Sequence, residues 1–159
     1  MLSETELTYL RRAIDLARLA REHGNHPFGA ILVDADGRLL AEAENTVNTD
    51  HDCTGHAETN LIRLASQRFD APTLAGSTLY TSTEPCAMCA GAIHWSGISR
   101  VVFALAEDQL YQLTGADPSN ETMRLPCREV FARCRRPIEV IGPILEEEAE
   151  RVHRGFWMP

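Results

Sequence analysis

The chain has 159 residues and a formal net charge of −8 at pH 7. Its length suits one domain over residues 1–159, and its 44% hydrophobic and 24% charged residues argue against the disordered and fibrous classes. The acidic balance disfavours a broad electrostatic attraction to nucleic acid and favours a small-molecule substrate. No apolar run approaches the ~20 residues of a membrane span, so we expect no membrane contact and a cytoplasmic protein.

The chain begins with the patterns of a helix and a hairpin. Ser3 and Glu6 form a capping-box pattern, and apolar residues at helical spacing predict a helix over about 5–22. Two apolar segments, 28–33 and 38–44, flank a short turn that contains Asp and Gly. This arrangement predicts a β-hairpin.

Helices and strands alternate after the hairpin. Helices are predicted over about 56–67 and 85–96. The other predicted elements are strands at 77–82, 100–105 and 138–141 and a closing helix at 145–156. Residues 106–136 have weak periodicity and two prolines, which indicates short helices or a mobile loop.

One histidine and two cysteines lie at the predicted starts of two helices. The five cysteines and the absence of a secretory signal favour metal or thiol chemistry over a disulfide framework. Cys86 and Cys89 are three residues apart, so a helical turn puts both sulfurs on one face, and His56 supplies a third ligand. Three protein ligands leave a fourth position for water, which is the pattern of catalytic zinc.

Glu58 follows His56 by two residues and is not required as a ligand. It can stand beside the zinc water, take a proton from it, protonate a ring nitrogen and deliver a proton to departing ammonia. A C-x-x-C pair alone often forms a structural metal knuckle or a redox pair, and an H-x-E triplet alone is common by chance. Together, with Pro85 before the first cysteine, they match the signature of zinc deaminases, which predicts Glu58 as the catalytic residue.

With these motifs the sequence resembles the cytidine deaminase superfamily, and more narrowly its guanine deaminase and tRNA adenosine deaminase branches. The matching stretches are NHPFGA at 25–30, EN at 44–45, TGHAE at 54–58, LYTSTEPC at 79–86 and AIHW at 92–95. The resemblance implies an α/β fold, a three-layer α/β/α sandwich with a mixed five-stranded sheet. It also implies one zinc ion per subunit and a homodimer whose partner subunit borders the active site.

The resemblance further implies contacts to the substrate. Asn45 matches an asparagine that hydrogen-bonds the base, and the alternative is a turn residue after the second strand. The backbone of Thr83 and Glu84 is expected beside the zinc water and the leaving amine. Asp117 is near the position of a carboxylate that recognises purine in guanine-type enzymes, with Glu121 as a competitor and an ordinary Asp-Pro turn as the alternative.

Several aromatic residues and one cysteine remain open to two interpretations. Phe156 and Trp157 either close over a planar base, as tail aromatics do in this branch, or anchor the last helix in the core. His94 and Trp95 are interpreted as packing residues one turn from the metal. Cys53 replaces a proline that is frequent at that position, which indicates a change in pocket shape.

The PFGA and AIHW stretches look more like guanine deaminases than tRNA enzymes, so the predicted reaction hydrolyses guanine to xanthine and ammonia. The alternative is deamination of adenosine in a tRNA anticodon loop, which a basic cluster keeps open. That cluster consists of Arg124, Arg128, Arg133, Arg135 and Arg136. It is otherwise a solvated face that pairs with the acidic tail, and only Phe131 within it offers a stacking ring. A further alternative is a non-catalytic zinc domain that serves assembly.

Overall fold

A mixed five-stranded sheet organises the computed structural model, which describes residues 1–115 and 117–157. Its strands are β1 (Gly29–Val33), β2 (Leu39–Glu44), β3 (Thr78–Thr83), β4 (Arg100–Leu105) and β5 (Glu139–Ile141). Their order is β2-β1-β3-β4-β5, with β1 antiparallel to β2 and β3, and with β3, β4 and β5 parallel. The predicted sheet and its opening hairpin are confirmed.

Helices lie on both faces of this sheet. They are α1 (Glu4–Glu22), α2 (Val47–Asp50), α3 (Ala57–Arg68), α4 (Ala71–Ala75), α5 (Ala87–Ser96), α6 (Glu107–Thr114), α7 (Cys127–Phe131) and α8 (Glu146–His153). The predicted capping box is present, since Ser3 and Glu6 exchange backbone and side-chain hydrogen bonds at the start of α1. Across the described residues, no helix combines the length and apolar character that a membrane span requires.

Alternate residues along the strands pack on opposite helices. Ile31 belongs to the core on the side of α1 and α8, whereas its neighbour Leu32 belongs to the core on the side of α3 and α5. This alternation follows from the period of two in a strand. It produces the predicted three-layer α/β/α sandwich.

The sheet also determines where a site can form. The parallel strands β3 and β4 end side by side, with Thr83 opposite Leu105. In α/β sheets, ligands bind beyond the carboxyl ends of the strands. Helices α3 and α5 pack against each other on one face of the sheet, and their first residues lie at this edge.

Candidate active site

The predicted metal ligands come together where α3 and α5 begin. His56 is the N-cap of α3 and Cys86 the N-cap of α5, so Pro85 precedes the helix instead of occupying its first turn. The His56 Nδ1 atom lies 3.5 Å from Cys86 Sγ and 3.7 Å from Cys89 Sγ, and the three ligand atoms lie within 4.8 Å of one another. A tetrahedral zinc site places nitrogen and sulfur about 3.6 Å apart, so this donor set fits zinc.

The two thiols differ in their readiness to ionise. The pKa of Cys86 is lowered to about 4, first because Cys89 donates a hydrogen bond to its sulfur and then because the His56 ring does so as well. The pKa of Cys89 is raised, since its thiol serves as that donor and is buried. Thr59 Oγ1 lies 3.3 Å from Cys89 Sγ. Such a hydroxyl supports a metal-bound thiolate from outside the ligand set.

Glu58 is buried in the first turn of α3, beside the metal ligands. Its Oε1 accepts a hydrogen bond from Thr81 Oγ1 on β3. Burial raises the pKa of Glu58, and the Thr81 hydroxyl opposes this shift. A carboxyl group whose pKa is raised toward neutrality is suited to exchange protons with a reacting group.

A cavity of about 620 Å³ opens in front of these residues. His56, Cys86 and Glu58 form one part of its lining, and α6, residues 119–123 and Trp157 form another part. Four glutamates contribute to the lining, but among the described residues no arginine or lysine does. The cavity is therefore acidic and partly aromatic.

The two C-terminal aromatic residues, Phe156 and Trp157, are predicted either to close over a base or to anchor the last helix, and each takes a different one of these positions. Trp157 lines the cavity, where its ring is nearly parallel to that of His153 and its Nε1 donates a 3.1 Å hydrogen bond to His153 Nδ1. The rings of His26 and Phe28 lie 5.5 and 6.1 Å from the Trp157 ring. Phe156 is absent from the described lining and packs edge-on against His26. Trp157 thus faces the cavity, while Phe156 anchors the tail.

Asn45, Thr83 and Glu84 occupy different positions. Asn45 is buried, and its side-chain oxygen accepts the N–H of Val47, as expected of a turn residue. Thr83 and Glu84 both line the cavity. The Glu84 carboxylate accepts backbone N–H groups of Glu107 and Cys127, each at 3.0 Å, so this side chain holds neighbouring segments in place.

Asp117 lies outside the described lining of the cavity. Its Oδ1 accepts the N–H and the hydroxyl of Ser119, at 2.9 and 2.7 Å. This is the turn that the Asp-Pro alternative describes. Glu121 does line the cavity, with an exposed side chain. The structure therefore brings Glu121, and not Asp117, to the rim.

Within the described chain, Trp95 does not have the packing role that the sequence predicts. Its side chain is 85% exposed, because the face of α5 that carries it has no covering element in the described chain. His94 is half-buried, and its ring lies 4.9 Å from that of Trp95. Cys53 is exposed and lines the cavity, which places it where a change in pocket shape is expected.

The arginine cluster is largely engaged within the chain. Arg124 pairs with Asp108, and Arg128, Arg133 and Arg136 donate to backbone carbonyls. The expected pairing with the acidic tail is wrong, since Glu147 and Glu148 pair with Arg151 and Arg11. Most of the cluster therefore stabilises local structure.

Sequence analysis missed three residues that the structure places around the site. Thr81 holds Glu58, Thr59 contacts Cys89, and Glu107 lines the cavity two residues after the end of β4. The signal for Glu107 was its position beyond the carboxyl end of a predicted strand. No comparable sequence signal marks the two threonines.

Comparisons with known proteins agree with this geometry. The family model of the cytidine and deoxycytidylate deaminase zinc-binding region matches residues 3–105. A probable cytosine deaminase of Schizosaccharomyces pombe is 46% identical over 157 residues, which cover 98% of this chain and 94% of that protein. A tRNA-specific adenosine deaminase of Bacillus subtilis is 35% identical over 149 residues, which cover 94% of this chain and 86% of that protein.

A solved structure points the same way. A structure of guanine deaminase from Nitrosomonas europaea superposes with a TM-score of 0.76 at 25% identity, and the match covers 97% of this chain and 84% of that one. The shared features include the zinc-binding region itself, since residues 3–105 contain all three candidate ligands. The chain therefore belongs to the cytidine and deoxycytidylate deaminase family, whose zinc-binding region it contains.

Proposed function

We propose that this protein is a zinc-dependent hydrolytic deaminase of a free nucleobase, with guanine as its substrate and xanthine and ammonia as its products. One observation carries the proposal. The metal ligands and the Glu58 carboxyl group line a single cavity that offers aromatic rings and carboxylates, but no arginine or lysine among its described residues. Such a cavity suits a neutral, planar heterocycle.

His56, Cys86 and Cys89 would hold the zinc ion. A zinc ion held there would lower the pKa of a bound water to about 7 and would so supply a nucleophile at neutral pH. Glu58 accepts the first proton that the attacking water loses and passes it to a ring nitrogen. It then takes the second proton from the hydroxyl now bonded to the ring carbon and delivers it to the leaving amino group. Water thereby replaces the amino group with a carbonyl oxygen and releases ammonia.

The remaining contacts orient the ring. Trp157, together with the neighbouring rings of His26 and Phe28, offers an aromatic surface against which a base can stack. The backbone of Thr83 and Glu84, together with Asn45, is proposed to hydrogen-bond the heterocycle. Thr83 and Glu84 support this role because both line the cavity.

The charge of the lining favours a free base over a tRNA substrate. A nucleic acid brings phosphate groups, which proteins neutralise with lysine and arginine. The cavity instead presents Glu58, Glu84, Glu107 and Glu121. Most of the nearby arginines are engaged within the chain.

Cytosine is the second candidate substrate. The fission-yeast relative, a probable cytosine deaminase, shares 46% of aligned residues over nearly the whole chain. Both bases carry an amino group on a carbon next to a ring nitrogen, so the same proton transfers apply to each. The two candidates differ in ring size and in hydrogen-bonding edge.

An ammonia-release screen with zinc-loaded protein tests the proposal. The panel contains guanine, guanosine, cytosine, adenine, isocytosine, ammeline and a tRNA anticodon stem-loop. We expect guanine to give the highest kcat/KM, and cytosine in first place would establish the second candidate. Inosine formed in the stem-loop without turnover of free bases would overturn the proposal in favour of tRNA editing. If no substrate is turned over and Glu58→Ala changes no phenotype, a non-catalytic assembly domain would be favoured.

We also propose that the protein is a homodimer formed through α5. Met88 and Trp95 lie seven residues apart on this helix and are both exposed. Met88 also lines the cavity, so a second copy on this face would border the site. Sedimentation equilibrium should give twice the chain mass, and Trp95→Lys should shift the protein toward the monomer. A monomer at all concentrations would contradict the proposal.

A further inference from the structure

Unpaired polar atoms are concentrated in the cavity. In the described part of the chain, four buried side-chain atoms have no hydrogen-bond partner, and three of them belong to residues that line the cavity. These three are Thr83 Oγ1, Glu107 Oε2 and Thr114 Oγ1. Buried polar groups are normally paired, so unpaired groups around one cavity indicate a ligand that completes them.

Two of the three residues belong to one face of α6. The residues of this helix that line the cavity are Glu107, Leu110, Tyr111 and Thr114. Their spacing of three, four and seven residues from Glu107 puts them on the same side of a helix. Helix α6 therefore forms a wall of the cavity, apolar in its middle and polar at each end.

The Glu107 carboxyl group is held in a fixed position. It is 8% exposed, and its Oε1 accepts the N–H of Leu125 at 3.1 Å. Its own N–H donates to Glu84 Oε2 at 3.0 Å, which fixes the start of α6 against the end of β3. One carboxyl oxygen is thus engaged by the protein, while Oε2 has no protein partner.

We infer that Glu107 is a specificity-determining residue, whose Oε2 accepts a hydrogen bond from the N–H at the ring nitrogen that carries ribose in a nucleoside. This inference rests on the proposed deamination of a free base. An ionised carboxylate only accepts hydrogen bonds, so it selects ligands that present a donor. In a free base the nitrogen that carries ribose in a nucleoside bears a hydrogen instead. Glu107 would therefore favour the free base over its riboside.

Electrostatics agree with this role. Burial raises the pKa of Glu107, and the neighbouring carboxylates of Glu84 and Asp108 act in the same direction. The raised pKa means that the charged carboxylate is disfavoured in the empty cavity. A ring N–H that donates to Oε2 stabilises the charged form, because hydrogen bonds to a charged group are stronger than those between neutral groups. A phosphate group close to the same carboxylate would be repelled.

The substitution Glu107→Gln tests the inference in zinc-loaded protein. Glutamine keeps an oxygen for the Leu125 N–H and replaces Oε2 with an NH₂ donor. We expect KM for the preferred base to rise roughly 10- to 100-fold, with zinc content and Tm unchanged. The matched control is Asp108→Asn, which removes the same charge one residue further along. Asp108 is exposed, pairs with Arg124 and lies outside the described lining, so KM should stay unchanged.

Discrimination against the riboside gives a second readout. Wild-type protein should prefer guanine to guanosine, and Glu107→Gln should reduce that preference at least tenfold. If this variant does not fold, Glu107→Asp keeps the carboxylate but withdraws it by one methylene group. Calorimetric binding of guanine to this variant in a Glu58→Gln background should then be at least fivefold weaker than to Glu58→Gln alone.

The outcomes separate the inference from the proposed function. Values of KM, riboside discrimination and guanine affinity that stay within twofold of the parent protein would overturn the role of Glu107. A wild-type protein that turns over no free base would overturn the proposed function. If guanine still bound, and bound less tightly in the Glu107 variants, the recognition role would stand without that reaction.

Discussion

The two sides of the cavity are built in different ways. The metal side consists of the starts of α3 and α5, backed by β3, and its groups contact one another: Thr81 holds Glu58, and Thr59 lies against Cys89. The other part of the lining, which we call the recognition side, consists of α6, residues 119–123 and Trp157. There the side-chain amide of Asn120 donates hydrogen bonds to the backbone carbonyls of Thr114 and Trp157, at 3.3 and 3.4 Å.

Under the proposed function, this difference separates the residues of the reaction from those of recognition. On the metal side Glu58 and Cys89 are buried, and Thr81 on β3 donates a hydrogen bond to Glu58, so a substitution there disturbs several contacts at once. Residues 121–123 on the recognition side are exposed and can vary at little cost in stability. A family built this way can keep one chemistry while its substrates change. Relatives named as a probable cytosine deaminase and a tRNA-specific adenosine deaminase resemble this chain over most of their length, and a guanine deaminase structure shares its fold.

The largest expected effect lies on the metal side. Glu58→Gln should retain zinc and lose about 10²- to 10⁴-fold in kcat, because the proton carrier is removed while every ligand remains. Cys86→Ala is the contrasting variant and should lose both zinc and thermal stability. Zinc content by mass spectrometry, measured beside initial rates, checks both variants. Equal metal loss in the two would show that Glu58 is a ligand and not the proton carrier.

The metal side was predictable from sequence because its pattern is local. His56 with Glu58, and Cys86 with Cys89, are separated by two and three residues, and each pair lies at a helix start. Hydrophobic periodicity then places both helices on one sheet. The spacing of ligand types and the alternation of elements together led to the zinc site. Thr81 and Thr59 were missed because only the packed structure brings them to Glu58 and Cys89.

The recognition side was less predictable because its contacts are distant in sequence. Glu107 is held by an N–H 18 residues later and by a carboxylate 23 residues earlier. Helices α6 and α7 have eight and five residues, too few for a strong periodic signal. Trp95 was misassigned for a related reason. Its helix is mostly apolar all round, so periodicity does not indicate which face is exposed.

An intermediate effect is expected at His153, beneath the tail. Burial lowers the pKa of His153 to about 4, below the ordinary value of 6.5. The unfolded chain therefore binds a proton before the folded one does, and stability falls as the pH drops from about 6.5 toward 4. The loss from this residue is about 3 kcal/mol. Urea unfolding of wild type and His153→Asn at pH 7 and pH 4 measures it.

Asparagine keeps an acceptor for the Trp157 N–H but takes up no proton. The variant should therefore lose less stability than wild type across this interval. Comparing the two proteins at each pH cancels the contribution of zinc release, which both share. Identical pH dependence would contradict a buried, neutral His153.

The smallest effect is expected at Trp157, and it should appear in binding rather than in turnover. Stacking of an aromatic side chain on a base is worth about 1–3 kcal/mol, so Trp157→Ala should raise KM about tenfold. Phe156→Ala is the control, because that ring packs beside the cavity without being part of its described lining. It should lower Tm and leave KM unchanged. Steady-state kinetics on the preferred base, with Tm measured in parallel, distinguishes the two residues.

A change in kcat without a change in KM for Trp157→Ala would contradict the assignment of Trp157 to recognition. It would mean that the tail reaches the reacting atoms and does more than cover the ring. Retention of the wild-type KM in Trp157→Phe would instead support a role of this ring in binding alone. A smaller ring at the same position preserves the stacking surface but lacks the N–H that His153 accepts. Affinity would then depend on the planar surface, and the hydrogen bond would serve to hold the tail in place.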